Sequence, residues 1–319
     1  MDAILRRHME LQSFVSTDYR QPDFDTFWNG ILAKNSGPVG FTRDQVLTPL
    51  KGVKAYKIVY EGDAETPIHA HYLLPPSASD GKLPCIVHFH GYTGAKGDPE
   101  DYAHWLLLGF AVFAVDVRGQ GGETGNRLTQ SFGMTKGWIT QGILAPHDCY
   151  YKAMAVDTIR AVQCAMAQPE SDSSRIIAMG TSQGGGMTLL ATALVPSIAL
   201  AIADIPNMCQ MDFGILNSTG SLTEVADFLN RHPQYLEQAL ATLSYFDIVH
   251  LAERITVPVR ISVGLKDTIC MPETVYAAYH SLASLDKELQ VNPFLGHMLE
   301  NGHTRKVYAF IRSRLNLDQ

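Results

Sequence analysis

The stretch RIIAMGTSQGGGMTLLATAL, residues 175–194, joins a short apolar run to a longer one through a serine set between glycines. The first run suits a strand buried on both faces, and the second has the length and composition of an apolar helix. Between them, Gly180-Thr181-Ser182-Gln183-Gly184 puts Ser182 on a strand-to-helix turn. That turn is sharp, and a side chain at Gly180 or Gly184 would collide with the neighbouring strand and helix. The helix N-terminus behind the serine favours the negative charge that develops in acyl transfer. Ser182 is therefore read as a nucleophile. The competing reading is a phosphate-cradling turn, which usually supplies a Lys after its last glycine; Met187 and Thr188 stand there instead.

On both sides of this stretch, short apolar runs alternate with helical patterns. CIVHFH ends at Gly91, FAVFAVD is followed by Arg118 and Gly119, and LAIAD ends at Asp204. DPEDYAHWLLLG and YYKAMAVDTIRAVQCAMAQ fall between them as helices. This alternation predicts an α/β fold of the α/β-hydrolase type, a mostly parallel central sheet flanked by helices. Two strands precede it, around Lys54 to Tyr60 and Ile68 to Leu74. The first 45 or so residues form an N-terminal extension, with Phe24, Phe27, Ile31 and Leu32 on one face of a helix. From about Pro206 to Arg254 the pattern becomes several helices with polar breaks, a helical insertion placed to act as lid or pocket wall. VRISVG, a helix from about Thr274 to Leu285, LQVNPF and a last helix resume the alternation. With no repeat and no linker, the 319 residues are read as one domain.

The hydrophobic fraction of 46% supplies a sizeable core, and a net charge of -7 with no basic run excludes a nucleic-acid partner. The polar N-terminus and the lack of a bilayer-length apolar segment predict a cytoplasmic protein without membrane contact. Five widely spaced cysteines without a C-x-x-C pair are read as reduced and mostly buried.

A serine nucleophile in this fold is followed by an acid and then a histidine, each in a loop after a late strand. His232 and His250 fall in the insertion and His280 inside an apolar helix, which leaves His297, after LQVNPF, as the base. His303 is the reserve. Asp267, directly after VRISVG, is the acid, thirty residues before His297, the length of one αβ unit; Asp204 is the alternative. The carboxylate would orient the imidazole and stabilise its cation. The oxyanion needs two N–H donors, assigned to Gln183 and to Tyr92, with Gly91 permitting the turn between strand and Tyr92. His69-x-His71 and His88-x-His90 raise a metal-dependent rival, but no third ligand accompanies them, so no metal or cofactor is expected. A non-catalytic binding module would normally lack a member of the triad, and none is missing.

Several motifs together resemble carbohydrate esterase family 7, the acetyl xylan esterases and cephalosporin C deacetylases. They are DFDTFW, FHGYTGAKGD, VDVRGQGG, Tyr150-Tyr151 leading into AVDTIRAV, GTSQGGG, LSYFDIVHLAERI and SVGLKDTIC followed by TVYAAYHSL. The resemblance implies hydrolysis of acetyl and other short acyl esters, with Ser182, Asp267 and His297 as triad and small-molecule esters as substrates. It also implies a homohexamer whose sites face an internal cavity, and an acetyl-sized pocket with Tyr92 on one side and Phe213 on the other. Arg118 and Gln120 of the RGQ element are expected to brace the site loops. Where the family usually has His-Glu, His297 is followed by Met298, so that glutamate's role falls to another residue such as Glu300.

Overall fold

The structure, a computed structural model, describes residues 2–78, 81–133, 137–315 and 317. Among them, nine strands form one sheet: β1 (Phe41–Val46), β2 (Lys54–Glu61), β3 (Pro67–Leu74), β4 (Leu83–Phe89), β5 (Ala111–Val115), β6 (Ser171–Thr181), β7 (Ile198–Asp204), β8 (Val259–Gly264) and β9 (Lys287–Asn292). Their spatial order is β1-β2-β3-β5-β4-β6-β7-β8-β9. The first three pair antiparallel and meet β5 antiparallel, whereas every pairing from β5 to β9 is parallel. This is the α/β-hydrolase arrangement, and β6, the strand that leads into Ser182, lies inside it with β4 and β7 as neighbours.

The apolar runs lie where their burial requires. β5 is buried along its whole length, as is β8, which suits strands covered by helices on both faces. One face carries the helices Tyr150–Met166 and Gln183–Leu194, with Trp28 of the helix Phe24–Lys34 packed into the same core. The other is covered by Ala103–Leu107 and His303–Leu315, which enclose Ile86, Val112, Ile177 and Ile202.

Three boundaries depart from the sequence reading. β1 lies in the segment read as extension; its residues FTRDQV alternate between half-buried and exposed at the sheet edge, so no apolar run marked it. A helix, Ala3–Gln12, precedes the one centred on Trp28, and it buries little beyond Leu11. The helix placed at Thr274 to Leu285 runs from Pro272 to Ser281, because Lys287 Nζ turns back to bond the carbonyls of Tyr279 and Leu282.

Between β7 and β8, residues 205–258 hold the helices Met211–Asn217, Thr223–Arg231, Leu236–Ser244 and Ile248–Leu251. The N-terminal segment straps this region down. Tyr19 Oη donates to Asp247, which also accepts from the backbone N–H groups of Gln210 and Met211, and Phe14 meets Phe213 edge-on at 5.5 Å. No described helix is long and apolar enough to cross a membrane.

Candidate active site

Parallel pairing brings the C-terminal ends of β4, β6, β7, β8 and β9 to one edge of the sheet, so the loops that follow them converge. Ser182 stands at the centre of that edge, between β6 and the helix it heads, with φ +60° and ψ -120°. A serine in this region costs on the order of 1–3 kcal/mol unless its surroundings fix it. Here the surroundings do: its N–H donates to Asp204 O, and its carbonyl accepts from Asn207 N and Gly186 N. The glycines permit the approach. A Cβ on Gly180 would lie 2.5 Å from Gly184 and 2.6 Å from Phe89 O, and one on Gly184 would overlap the Phe89 carbonyl outright.

Asp267 and His297 meet, as their loops predict. His297 Nδ1 lies 2.8 Å from Asp267 Oδ2, while Asp267 Oδ1 accepts from the N–H groups of Ile269 and Cys270 at 2.8 and 3.0 Å. The aspartate side chain is fully buried and the histidine is 23% exposed. With Nδ1 on the carboxylate, Nε2 is the nitrogen left to take a proton. Among the described residues, the hydrogen-bonding neighbour of Ser182 Oγ is Cys270 Sγ, at 3.9 Å. Nucleophile and base commonly tighten only once substrate is bound.

The alternative acid and the reserve histidine pair with each other. Asp204 Oδ2 lies 2.8 Å from His303 Nε2, and Oδ1 accepts from Ser262 Oγ at 2.7 Å. His303 is the first residue of the last helix, so this pair pins that helix to the end of β7.

Of the two residues read as oxyanion donors, Gln183 opens its helix, where an N–H has no acceptor within the helix. The Tyr92 loop passes close by, since a Cβ on Gly91 would sit 3.7 Å from Ser182 Cβ. The turn is not made by Gly91, however: the left-handed residue is Thr93, at φ +65°. Thr93 N donates to Gln120 Oε1 at 2.8 Å, and Gln120 Nε2 donates to Gln183 Oε1 at 3.0 Å and to Tyr150 Oη at 2.9 Å. Gln120 thus joins the loop after β4 to the residue after Ser182. Arg118 is fully buried, with Nε and Nη2 each 2.6 Å from a different oxygen of Asp157, so its charge is spent away from Ser182. Its carbonyl accepts from Tyr150 Oη, which links it to Gln120.

Tyr92 and Phe213 are not brought into ring contact among the described residues. Tyr92 stacks edge-on against Trp138, at 5.6 Å, and Phe213 against Phe14. Burial and hydrogen bonding to Glu224 hold the Tyr92 phenol well above its usual pKa, so it stays a proton donor.

At the end of β4, both members of the His88-x-His90 pair meet hydrogen-bonding partners, His88 through the Tyr102 hydroxyl at 3.3 Å. His90 uses both nitrogens: Nε2 accepts from Val117 N at 2.9 Å, and Nδ1 lies 2.8 Å from Gly91 O. Desolvation, followed by the neighbouring His90, pushes His88 down to about 4. Glu300 lies 3.7 Å from the buried Arg260 on β8 and 2.6 Å from Lys306, so it ties the loop after His297 to the strand that leads to Asp267. Met298 is 57% exposed. Cys270, Asn207 and Glu224 escaped the sequence reading. Cys270 carried one local signal, its place three residues after an aspartate whose side chain can accept its N–H, but nothing in the sequence set Glu224 apart from other charged helix residues.

The profile of the acetyl xylan esterase family (AXE1) matches residues 4–314. Among solved structures, the acetyl xylan esterase from Paenibacillus sp. R4 is 36% identical, with a TM-score of 0.91 over 96% of this chain and 99% of that one. Acetyl xylan esterase 1 from Thermoanaerobacterium sp. JW/SL YS485 is 29% identical, with a TM-score of 0.90 over 96% and 98%. Acetyl esterase Axe7A of Xylanibacter ruminicola is 26% identical over 283 residues, 86% of this chain, and the chain spans 63% of that relative's length. The match of the family profile along almost the whole chain, with a relative above 30% identity that aligns end to end, places this protein in the acetyl xylan esterase family.

Proposed function

We propose that the protein is a serine esterase that removes acetyl and other short acyl groups from esters such as acetylated xylo-oligosaccharides or cephalosporin C. One observation carries the reading: Asp267 and His297 are hydrogen-bonded on neighbouring loops at the sheet edge where Ser182 projects from its strained turn. In the mechanism proposed, Ser182 Oγ attacks the ester carbonyl and its proton passes to His297 Nε2. The oxyanion receives the N–H groups of Gln183 and Tyr92. Collapse releases the alcohol, protonated by His297, and leaves an acyl-serine. Water, deprotonated by the same histidine, then frees the acid and restores Ser182. Asp267 holds the tautomer and balances the imidazolium without taking the proton.

Ser182→Ala tests this directly. Ester hydrolysis should fall by a factor on the order of 10⁶ while the fold persists, and turnover near that of the parent would overturn the mechanism. Family membership also supports a homohexamer with its sites around an internal cavity, a proposal decided by sedimentation velocity. The cytoplasmic location proposed from the sequence is decided by cell fractionation.

A further inference from the structure

Glu224 links the insertion to the loop after β4. Glu224, in the first turn of the helix Thr223–Arg231, is only 7% exposed, and its Oε1 accepts from Tyr92 Oη at 2.7 Å. The same phenol oxygen accepts from Trp138 N at 3.1 Å. The carboxylate lies so close over Gly137, itself at φ +69°, that a Cβ there would overlap it. The Trp138 indole in turn covers Gly119, where a Cβ would come within 2.9 Å of its Nε1. Glu224, Tyr92, Trp138 and the RGQ turn therefore form one packed unit bridging the insertion and the sheet.

Tyr92 is consequently fixed at both ends. Its hydroxyl is held by Glu224, and the backbone just beyond it is held by Gln120 through Thr93 N. Between these points lie the Tyr92 N–H, which the proposed mechanism uses for the oxyanion, and the ring that packs on Trp138. A ring free to swing would rotate the adjoining peptide, and an N–H donor loses strength steeply as its angle to the acceptor closes. A donor fixed before the reaction needs no reorganisation as the charge develops.

We propose that Glu224 is a positioning residue for the reaction, holding Tyr92 so that its N–H meets the oxyanion and thereby coupling the helical insertion to the oxyanion loop. This rests on the serine esterase reading. The link is made by acceptance of a hydrogen bond, so an amide that retains the acceptor should largely replace the carboxylate, and an apolar side chain of similar size should not. The loss should appear in kcat, because the N–H is engaged more strongly in the transition state than in bound substrate.

The test is a cycle on nitrophenyl acetate with Glu224→Leu and Glu224→Gln, each made with Tyr92 intact and with Tyr92→Phe. Glu224→Leu should lower kcat about tenfold or more, as expected for a hydrogen bond to a charged group, with KM little changed. Glu224→Gln should recover most of that loss. In the Tyr92→Phe background, Leu and Gln at position 224 should give the same kcat. The proposal is overturned if Gln is no better than Leu, if their difference persists without the Tyr92 hydroxyl, or if only KM moves. Should Glu224→Leu not fold, Glu224→Ala takes its place beside Glu224→Gln in the two backgrounds, and an equal Gln-to-Ala ratio in both overturns it. Failure of the esterase reading itself is seen elsewhere, as activity that survives Ser182→Ala; the cycle is read with Ser182 in place.

Discussion

Replacing Asp267 by Asn changes one atom, and the structure fixes where that atom goes. Asp267 Oδ1 accepts from two backbone N–H groups, those of Ile269 and Cys270, while Oδ2 faces His297 Nδ1. An asparagine could place its carbonyl oxygen on the two N–H groups and its NH₂ toward the imidazole. The opposite orientation would leave both N–H groups facing an NH₂, at roughly 1–3 kcal/mol for each unsatisfied buried group, or about 2–6 kcal/mol together. The amide is thus locked with its NH₂ on His297. Nδ1 must then accept, the ring proton moves to Nε2, and the nitrogen needed to take the serine proton already carries one. A loss on the order of 10⁴ in kcat is expected, which corresponds to about 5.4 kcal/mol of transition-state stabilisation. Initial rates on nitrophenyl acetate measure it. Asp204→Asn is the control: its carboxylate serves Ser262 and His303, and the contact to Ser182 runs through the Asp204 backbone carbonyl, which the substitution leaves in place. That variant should stay within about tenfold of the parent and melt at a lower temperature. Asp267→Asn within tenfold of the parent, with Asp204→Asn down a thousandfold or more, would refute the reasoning and move the acid to Asp204.

Three further outcomes are expected. Activity on nitrophenyl esters should peak at acetate or propionate and fall steeply by octanoate, because overpacking costs about 1–3 kcal/mol against roughly 0.8 gained per buried methylene; Phe213→Ala should lengthen the preferred chain, and an unchanged profile would leave Phe213 with Phe14 as its only role. Dialysis against a strong chelator should leave activity intact, since His90 has both nitrogens engaged; a loss restored by zinc would revive the metal-dependent rival. Stability should decline as pH falls from about 6.5 toward 4, because desolvation and then His90 hold His88 at about 4 in the fold while the unfolded side chain binds its proton near 6.5. The depressed value makes this contribution complete above 6.5 and absent below 4. Melting temperatures between pH 7.5 and 4.5 should therefore converge for the parent and His88→Gln as the pH drops, and parallel curves would count against it.

Much of this protein is legible in the chain because its decisive features are local. The turn at Ser182 needs glycines at fixed offsets, since backbone atoms of Phe89 and Gly184 occupy the space a side chain would take, and that need is written in five consecutive residues. The buried parallel strands appear as unbroken apolar runs because helices cover both faces, and the spacing of Asp267 and His297 follows from one αβ unit between them. β1 was not legible for the complementary reason: a half-exposed edge strand needs no apolar pattern. Pairings across long separations belong to the tertiary structure alone. That Asp204 takes His303, or that Glu224 closes on Tyr92 across 132 residues, depends on which loops the sheet order carries to the same edge. Glu224 does not differ in sequence from a carboxylate that merely faces water. The partner is chosen by a contact of a few ångströms, and no pattern along the chain encodes that distance until the parallel sheet has brought its strand ends together.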